Sequence, residues 1–361
     1  MKEKLLMKGN EVIAEAALRA GCRFYFGYPI TPQTEIAHYM AKKMPKMGGT
    51  FLQAESEIAA INMVYGAAAA GARVMTSSSS PGISLKQEGI SYISCAELPA
   101  VVVNIVRCGP GLGGILPAQC DYFQAVKGGG HGDYKMVVLA PSSVQELYEL
   151  TVEAFNIADK YRIISMIMGD GILGQMMETV EFKEKEDIAD VDKSWAVTGT
   201  NMERDNNIIT SIYINPEVLE KHNQKLQKKY GEISKKEARV EIFNCEGADI
   251  IVSAFGTVAR IVKNVIKMAE KEGIKVGLIR PVTLWPFPNK AFEKYAYVPK
   301  AFLTVELNAG QMLEDVRLAL NGKNKAYFYG RMGGMLPAQQ EILDKIKEIL
   351  KSGGDTHEDC F

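Results

Sequence analysis

Short apolar runs that alternate with helical patterns constrain the fold of this chain more than any other feature. Residues 101–106 form the clearest run, and such strands are typical of a parallel sheet covered by helices on both faces. Helical patterns over residues 10–20, 57–70 and 83–96 would supply the covering layers. The alternation therefore predicts an α/β fold with a doubly wound parallel sheet. Its strands are predicted at residues 24–26, 50–53, 74–77, 101–106, 136–140 and 163–168.

The alternation weakens between residues 185 and 245, where Asp, Lys and Glu dominate, and it resumes at residue 249. We interpret the weak region as a charged connecting arm that contains a helix near residues 216–240. The second alternation predicts a smaller α/β domain. The predicted division is a first domain at residues 1–190, the arm at 191–245, a second domain at 246–352 and a mobile tail at 353–361.

The composition limits the partners of the chain. Its 361 residues are 47% hydrophobic, so a large buried core is expected, and the net charge of -1 favours neither nucleic acid nor an anionic membrane. The sequence shows no apolar run of membrane-spanning length and no signal-peptide pattern at its start. We therefore expect a cytoplasmic protein.

The six cysteines are scattered along the chain, and none pairs with another at the two-residue gap typical of metal sites. Cys95, Cys108 and Cys120 are too widely spaced for a local iron–sulfur motif. The four histidines show no metal-ligand spacing either. We expect no metal site in this chain, and any iron–sulfur cluster would belong to another subunit.

Four motifs in fixed order identify the family that the chain resembles. They are FGYPITP at residues 26–32, QAESE at 53–57, SSSSPG at 77–82 and Arg107 at a strand end. Together they resemble the thiamine-pyrimidine domain of the 2-oxoacid:ferredoxin oxidoreductases. The second half resembles the small transketolase-type C-terminal domain, because RPVTLWPFP at residues 280–288 and ELNAGQ at 306–311 match its turns.

The resemblance implies that Glu57 is the catalytic carboxylate. In the family, the glutamate at this position hydrogen-bonds the pyrimidine ring of thiamine diphosphate and shares the proton that activates the cofactor. Glu57 also suits the positive end of a helix, and Glu55 remains an alternative carboxylate. The resemblance implies these residues as contacts of the cofactor: Tyr28, Pro29, Glu57, Ser79, Ser80 and Gly82.

Thr31 and Arg107 are implied by the resemblance as ligands of the substrate carboxylate. Thr31 precedes Pro32 and is also predicted to cap a helix that begins at that proline. Arg107 precedes a glycine-rich loop, where a guanidinium can bind a carboxylate through two parallel hydrogen bonds. A surface arginine at a strand end is the alternative interpretation.

The segment Gly169-Asp170-Gly171 is similar to the start of the diphosphate and magnesium motif of thiamine enzymes. That motif ends in an asparagine pair, and the pair at residues 206–207 lies too far along the chain. We therefore interpret Asp170 as structural. The chain is then expected to carry only the pyrimidine half of a thiamine site.

The resemblance implies an alpha-type subunit, closest to the branch that acts on 3-methyl-2-oxobutanoate. A beta-type subunit would bind the diphosphate and Mg²⁺, and gamma-type and ferredoxin-like subunits would complete the hetero-oligomer with iron–sulfur clusters. External ferredoxin would accept electrons, and coenzyme A would be the co-substrate. Alternatives are a beta-type subunit of a 2-oxoacid dehydrogenase complex, a subunit specific for 2-oxoglutarate or pyruvate, and a non-catalytic assembly subunit.

Overall fold

The computed structural model describes residues 3–352, which form two main β-sheets and one two-stranded sheet. The predicted mobile tail lies outside the described residues. The strands are β1 (Glu3–Lys8), β2 (Phe24–Gly27), β3 (Thr50–Gln53), β4 (Val74–Ser78), β5 (Ala100–Val106), β6 (Val137–Leu139), β7 (Ile164–Asp170), β8 (Met177–Phe182), β9 (Val240–Phe243), β10 (Ile250–Ser253), β11 (Val276–Pro281), β12 (Thr283–Trp285), β13 (Ala301–Glu306) and β14 (Ala326–Gly330).

Helices follow most of the strands, as the alternation predicts. They are α1 (Gly9–Arg19), α2 (Thr34–Lys43), α3 (Glu57–Ala69), α4 (Ser80–Cys95), α5 (Val144–Tyr161), α6 (Gly171–Gln175), α7 (Pro216–Lys236), α8 (Gly256–Lys271), α9 (Asn289–Tyr295), α10 (Gln311–Leu320) and α11 (Gln339–Lys351). Within the described range, no helix combines the length and apolar character that crossing a membrane requires.

The first sheet has the strand order β12-β6-β7-β5-β4-β2-β3. Its strands are parallel except β12, which pairs antiparallel with β6. The chain leaves β2 toward β3 and leaves β4 toward β5, so the connections run in opposite directions from this neighbouring pair. Ligands of open α/β sheets bind at such a switch point, beyond the carboxyl ends of the strands.

The second sheet has the order β14-β13-β10-β11-β9, with β9 antiparallel at one edge. The predicted connecting arm therefore contributes one strand, β9, to this sheet. Strand β12, from the second half of the chain, joins the edge of the first sheet by pairing with β6. This pairing links the two halves through backbone hydrogen bonds.

Three apolar clusters form the core. One lies between the first sheet and α1, α2 and α5, and another lies between the second sheet and α8 and α11. The third contains residues of α3 and α4 as well as residues of the second sheet, α9 and α10. Because this cluster is continuous across both halves, the two halves share one apolar core.

Helix α2 begins at Thr34, so the predicted helix start at Pro32 with Thr31 as its N-cap is wrong. The Pro32 carbonyl instead accepts hydrogen bonds from the buried Asn10 side chain at 2.7 Å and from Gln175 at 3.2 Å. The next residue, Gln33, turns its side chain into the core. These tertiary contacts hold residues 31–33 in a turn, so the helix begins after them and Thr31 does not cap it.

Candidate functional site

The carboxyl ends of β2 and β4 bring two of the predicted motifs together at the switch point. The loop after β2 carries Tyr28, Pro29 and Thr31, all of which are exposed. The loop after β4 carries Ser79 and leads directly into α4. These two motifs, far apart in sequence, therefore lie together at the carboxyl ends of neighbouring strands of the first sheet.

Glu57 is the first residue of α3, and its side chain is only 7% exposed. Ser56 caps this helix by accepting a hydrogen bond from the amide of Ala59 at 3.1 Å. A Cβ atom built on Gly82 would lie 2.6 Å from Glu57 Oε1, so the glycine makes room for the carboxyl group. Glu55 is exposed, so the burial expected of a proton-sharing carboxyl is found at Glu57.

Two buried serine hydroxyls at the carboxyl end of β4 have no hydrogen-bond partner within the described residues. They are Ser78 Oγ and Ser79 Oγ. Ser78 Oγ lies against Gly82, where an added Cβ would approach it to 2.1 Å. Native proteins pair nearly all buried polar atoms, so unpaired hydroxyls at the switch point, where ligands of such sheets bind, make it the candidate site.

Gln33 contributes a further unpaired donor, and sequence reasoning missed it. Its Oε1 accepts a hydrogen bond from Ser77 at 2.5 Å, and Ser77 Oγ lies 2.6 Å from the Tyr25 hydroxyl. Its Nε2 has no partner within residues 3–352. The only sequence signal was its place directly after the FGYPITP motif, and an isolated glutamine has no pattern that distinguishes it.

Lys86 is a buried cation that sequence reasoning also missed. Its side chain is fully buried in α4, one helical turn after Gly82. Its ammonium donates to the Glu57 carbonyl at 3.4 Å. Burial lowers the pKa of Lys86 to about 8, although the charge of Glu57 opposes the shift. A lysine between Ile83 and Ile90 on an apolar helix face was the signal that could have revealed it.

Arg107 and Thr31 lie in direct contact through the Thr31 backbone carbonyl. The Arg107 side chain is buried and donates to the Thr31 carbonyl at 3.1 Å and to the Leu112 carbonyl at 2.9 Å. Its Nε has no partner in the described part of the chain. The guanidinium is therefore held beside Thr31 with one buried donor still available.

Ser80 differs from the other predicted cofactor contacts because its hydroxyl is already engaged. It accepts from the Arg107 amide at 3.0 Å and donates to the Arg107 carbonyl at 3.1 Å. Its own amide donates to Asn104 Oδ1 at 3.2 Å. Ser80 thus holds the backbone of Arg107, and the free hydroxyl in this loop belongs to Ser79.

Asp170 is used by the fold. Its Oδ1 accepts hydrogen bonds from the amides of Ile172 at 3.0 Å and Leu173 at 3.1 Å, so it caps α6. Burial raises the pKa of the Asp170 carboxyl, and these backbone hydrogen bonds oppose the shift. No cluster of three potential His, Cys, Asp or Glu metal ligands occurs among the described residues.

The arrangement fits an aminopyrimidine ring at the switch point. A ring of this kind presents nitrogen acceptors and an amino donor, and the site offers a buried carboxyl together with unpaired serine hydroxyls. Gly82 leaves the space that Glu57 occupies against α4. The fold and the site thus define the class of thiamine-type α/β proteins, with a buried carboxyl group at the switch point.

Comparison with known families agrees with this class. The family described as "Pyruvate flavodoxin/ferredoxin oxidoreductase, thiamine diP-bdg" matches residues 15–241, and "Pyruvate:ferredoxin oxidoreductase core domain II" matches residues 248–342. The first match covers more than half of the chain. The protein therefore belongs to the 2-oxoacid:ferredoxin oxidoreductase family and is an oxidoreductase subunit, which confirms the predicted resemblance.

One relative and two solved structures extend the comparison. Ketoisovalerate oxidoreductase subunit VorB of Methanothermobacter thermautotrophicus is 50% identical over 97% of this chain and 99% of its own length. The 2-oxoglutarate:ferredoxin oxidoreductase of Magnetococcus marinus, solved with 2-oxoglutarate, coenzyme A and succinyl-CoA bound, has a TM-score of 0.87 and 28% identity. The match covers 97% of this chain and 66% of that one.

A split gene transketolase, solved as an inactive beta4 tetramer, shares the fold with a TM-score of 0.56 at 12% identity. That match covers 96% of this chain and 98% of the transketolase chain. It confirms the predicted plan of a thiamine-pyrimidine-type sheet followed by a transketolase-like second domain.

Proposed function

We propose that this chain is the subunit of a ketoisovalerate:ferredoxin oxidoreductase that holds the pyrimidine half of the thiamine diphosphate site. The carrying observation is Glu57, whose carboxyl group is buried against Gly82, as is the unpaired hydroxyl of Ser78. The assembled enzyme would break the bond between the carboxyl and 2-oxo carbons and release CO2. It would pass two electrons singly to ferredoxin and transfer the acyl group to the thiol of coenzyme A.

When bound, thiamine diphosphate supplies the nucleophilic carbon that attacks the 2-oxo group. Glu57 would hold the proton shared with the pyrimidine nitrogen, and Ser78 and Ser79 would pair with the ring. Arg107 and Thr31 would bind the substrate carboxylate, because the guanidinium keeps a free buried donor at Nε. Tyr28 and Pro29, which are exposed in the loop after β2, would contact the cofactor from the solvent side of the site.

Partner chains would supply the remaining parts. We assign the diphosphate and Mg²⁺ contacts to a beta-type subunit, and the iron–sulfur clusters to gamma-type and ferredoxin-like subunits. The support is Asp170. This carboxylate stands in the segment that is similar to the diphosphate motif, but it caps α6. The family's use of ferredoxin supports a cytoplasmic location.

The loop beyond Arg107 supports an aliphatic substrate. Leu112, Ile115 and Leu116 are exposed there and could line a pocket completed by a partner chain. The nearest lysine along the chain, Lys127, is paired with Asp315, so it offers no free cation for a second carboxylate. An unpaired buried charge is costly, so a dicarboxylate is disfavoured in this loop, which offers no second cation.

A subunit specific for 2-oxoglutarate is the second candidate, and the Magnetococcus marinus structure with bound 2-oxoglutarate is the observation that favours it. The test compares kcat/KM for 3-methyl-2-oxobutanoate, pyruvate and 2-oxoglutarate in the purified complex, with a viologen dye as electron acceptor. We expect a preference for the branched substrate, with overlap among aliphatic acids, because one methylene changes binding by only about 1–3 kcal/mol. A clear preference for 2-oxoglutarate would overturn the assignment.

A further inference from the structure

Gln119 joins the two domains through all of its polar groups. Its amide donates to the Leu307 carbonyl at 3.0 Å, and its Oε1 accepts from the Leu307 amide at 3.0 Å. Its Nε2 donates to the Phe255 carbonyl at 3.0 Å, and its carbonyl accepts from Asn308 Nδ2 at 2.9 Å. The residue is 2% exposed, so these bonds are shielded from water. We call this set of contacts the interdomain clasp.

The clasp lies two residues from the closure of the loop that carries Arg107. Arg107 and Pro117 form an antiparallel bridge that closes this loop. Cys120, on the other side of Gln119, donates from Sγ to the Arg107 carbonyl at 3.4 Å. A shift of Gln119 would therefore move both ends of the loop and the guanidinium that it carries.

The second domain holds its side of the clasp firmly. Asn308 Nδ2 also donates to the buried Glu306 at 2.8 Å, and its Oδ1 accepts from the amides of Gly310 at 2.8 Å and Gln311 at 3.1 Å. These contacts order the turn before α10, which is the ELNAGQ segment of the sequence. The segment therefore presents a fixed hydrogen-bonding surface to the first domain.

We propose that Gln119 and Asn308 are positioning residues, through which the second domain fixes Arg107 in the orientation that binds the substrate carboxylate. The proposal rests on the proposed function, because it takes Arg107 as the carboxylate ligand. It assigns the second domain a part in substrate binding.

The test is a double-mutant cycle between Gln119 and Arg107 in the purified complex. Gln119→Met removes both side-chain bonds at similar volume, and Gln119→Glu removes the donor while retaining an acceptor. We expect each variant to raise KM for the 2-oxoacid roughly three- to tenfold with kcat within about twofold. In an Arg107→Ala background the same change should alter KM by less than about 1.5-fold, because its effect passes through Arg107.

Tyr122→Phe is the matched control. The Tyr122 hydroxyl donates to Asp315 at 2.7 Å, so this variant removes another buried interdomain hydrogen bond outside the Arg107 loop. Its KM should stay at the wild-type value. An equal rise in KM for Tyr122→Phe would overturn the proposal. So would a double variant whose rise in KM is the product of the rises in the single Gln119 and Arg107 variants.

The remaining outcomes separate the clasp from the proposed function. If Arg107→Ala raises KM but the Gln119 variants do not, only the clasp fails. If Arg107→Ala itself leaves KM unchanged, the carboxylate-binding role of Arg107 fails. If neither Gln119 variant assembles while Tyr122→Phe does, the clasp is a folding element, which contradicts a local positioning role.

Discussion

The carboxyl ends of β4 and β7 belong to the same sheet and both carry buried polar side chains, yet they differ in one respect. At β4, the hydroxyls of Ser78 and Ser79 have no partner among residues 3–352. At β7, the Asp170 carboxylate accepts two backbone amides and caps α6. Asp170 is the residue with the more familiar motif, but its hydrogen-bonding capacity serves the fold. The contrast makes the carboxyl end of β4, and not that of β7, the candidate ligand site.

The largest expected effect concerns the carboxylate beside the β4 end. Glu57→Gln should assemble normally but lower turnover by ~10²–10⁴-fold, because an amide cannot share the proton. Steady-state kinetics of the complex at saturating cofactor measure this loss. Glu55→Gln is the matched control, and it should keep its turnover because Glu55 is exposed. Loss in Glu55→Gln with activity retained in Glu57→Gln would move the role to Glu55.

The next effect concerns the substrate carboxylate. Arg107→Ala should raise KM for the 2-oxoacid roughly tenfold or more, since a charge-assisted hydrogen bond contributes ~1.5–3 kcal/mol. Thr31→Ser keeps the hydroxyl and should be milder. Unchanged kinetic constants in Arg107→Ala would show that the carboxylate is held elsewhere.

A smaller effect on stability is expected at Lys86. Burial lowers its pKa from 10.5 to about 8, so the folded state binds this proton less tightly than the unfolded state. The buried ammonium therefore destabilises the fold below pH 8, and this cost disappears as the pH rises toward 10.5. Lys86→Met should raise the free energy of unfolding at pH 7 by up to ~3 kcal/mol, at about 1.4 kcal/mol per pKa unit.

Denaturant unfolding of the chain at pH 7 and pH 9.5 measures the Lys86 effect. The advantage of Lys86→Met should shrink at the higher pH. If Lys86→Met raises the free energy of unfolding equally at both pH values, the charge of the buried ammonium is not the cause of the destabilisation.

The smallest expected effect is on stability, at the carboxyl end of β7. Asp170→Ala should lower the free energy of unfolding by about 0.5–2 kcal/mol, as loss of a helix N-cap does, whereas Asp170→Asn should retain most of it. The Mg²⁺ dependence of activity should be the same in Asp170→Asn as in the wild type. A large rise in the Mg²⁺ requirement of that variant would assign Asp170 to the metal and abolish the contrast with β4.

The fold was largely predictable because the apolar strands alternate with helices at regular spacing. The five-residue segment at 53–57 and the glycine at residue 82 also pointed to the site, since these motifs are local. Edge strands β9 and β12 were missed because β9 lies in the predicted arm and pairs with β11 beyond it, and β12 pairs with β6 of the first half of the chain. Antiparallel edge pairing of this kind is decided by tertiary packing and leaves no local pattern.

The site residues divide in the same way. Glu57 and Arg107 stand in motifs, whereas Gln33, Lys86 and Gln119 acquire their environments from distant segments. Gln119, for example, bonds residues 255, 307 and 308. The prediction that Thr31 caps a helix was wrong for the same reason. Asn10 and Gln175 bind the Pro32 carbonyl, and the helix begins only at Thr34.

The central claim is that this chain holds only the pyrimidine half of a thiamine site, and calorimetric titration tests it most directly. Thiamine diphosphate with Mg²⁺ is titrated into the purified chain alone and into the chain assembled with its diphosphate-binding partner. We expect weak binding by the chain alone and stoichiometric binding by the assembly. Tight stoichiometric binding by the isolated chain would contradict it.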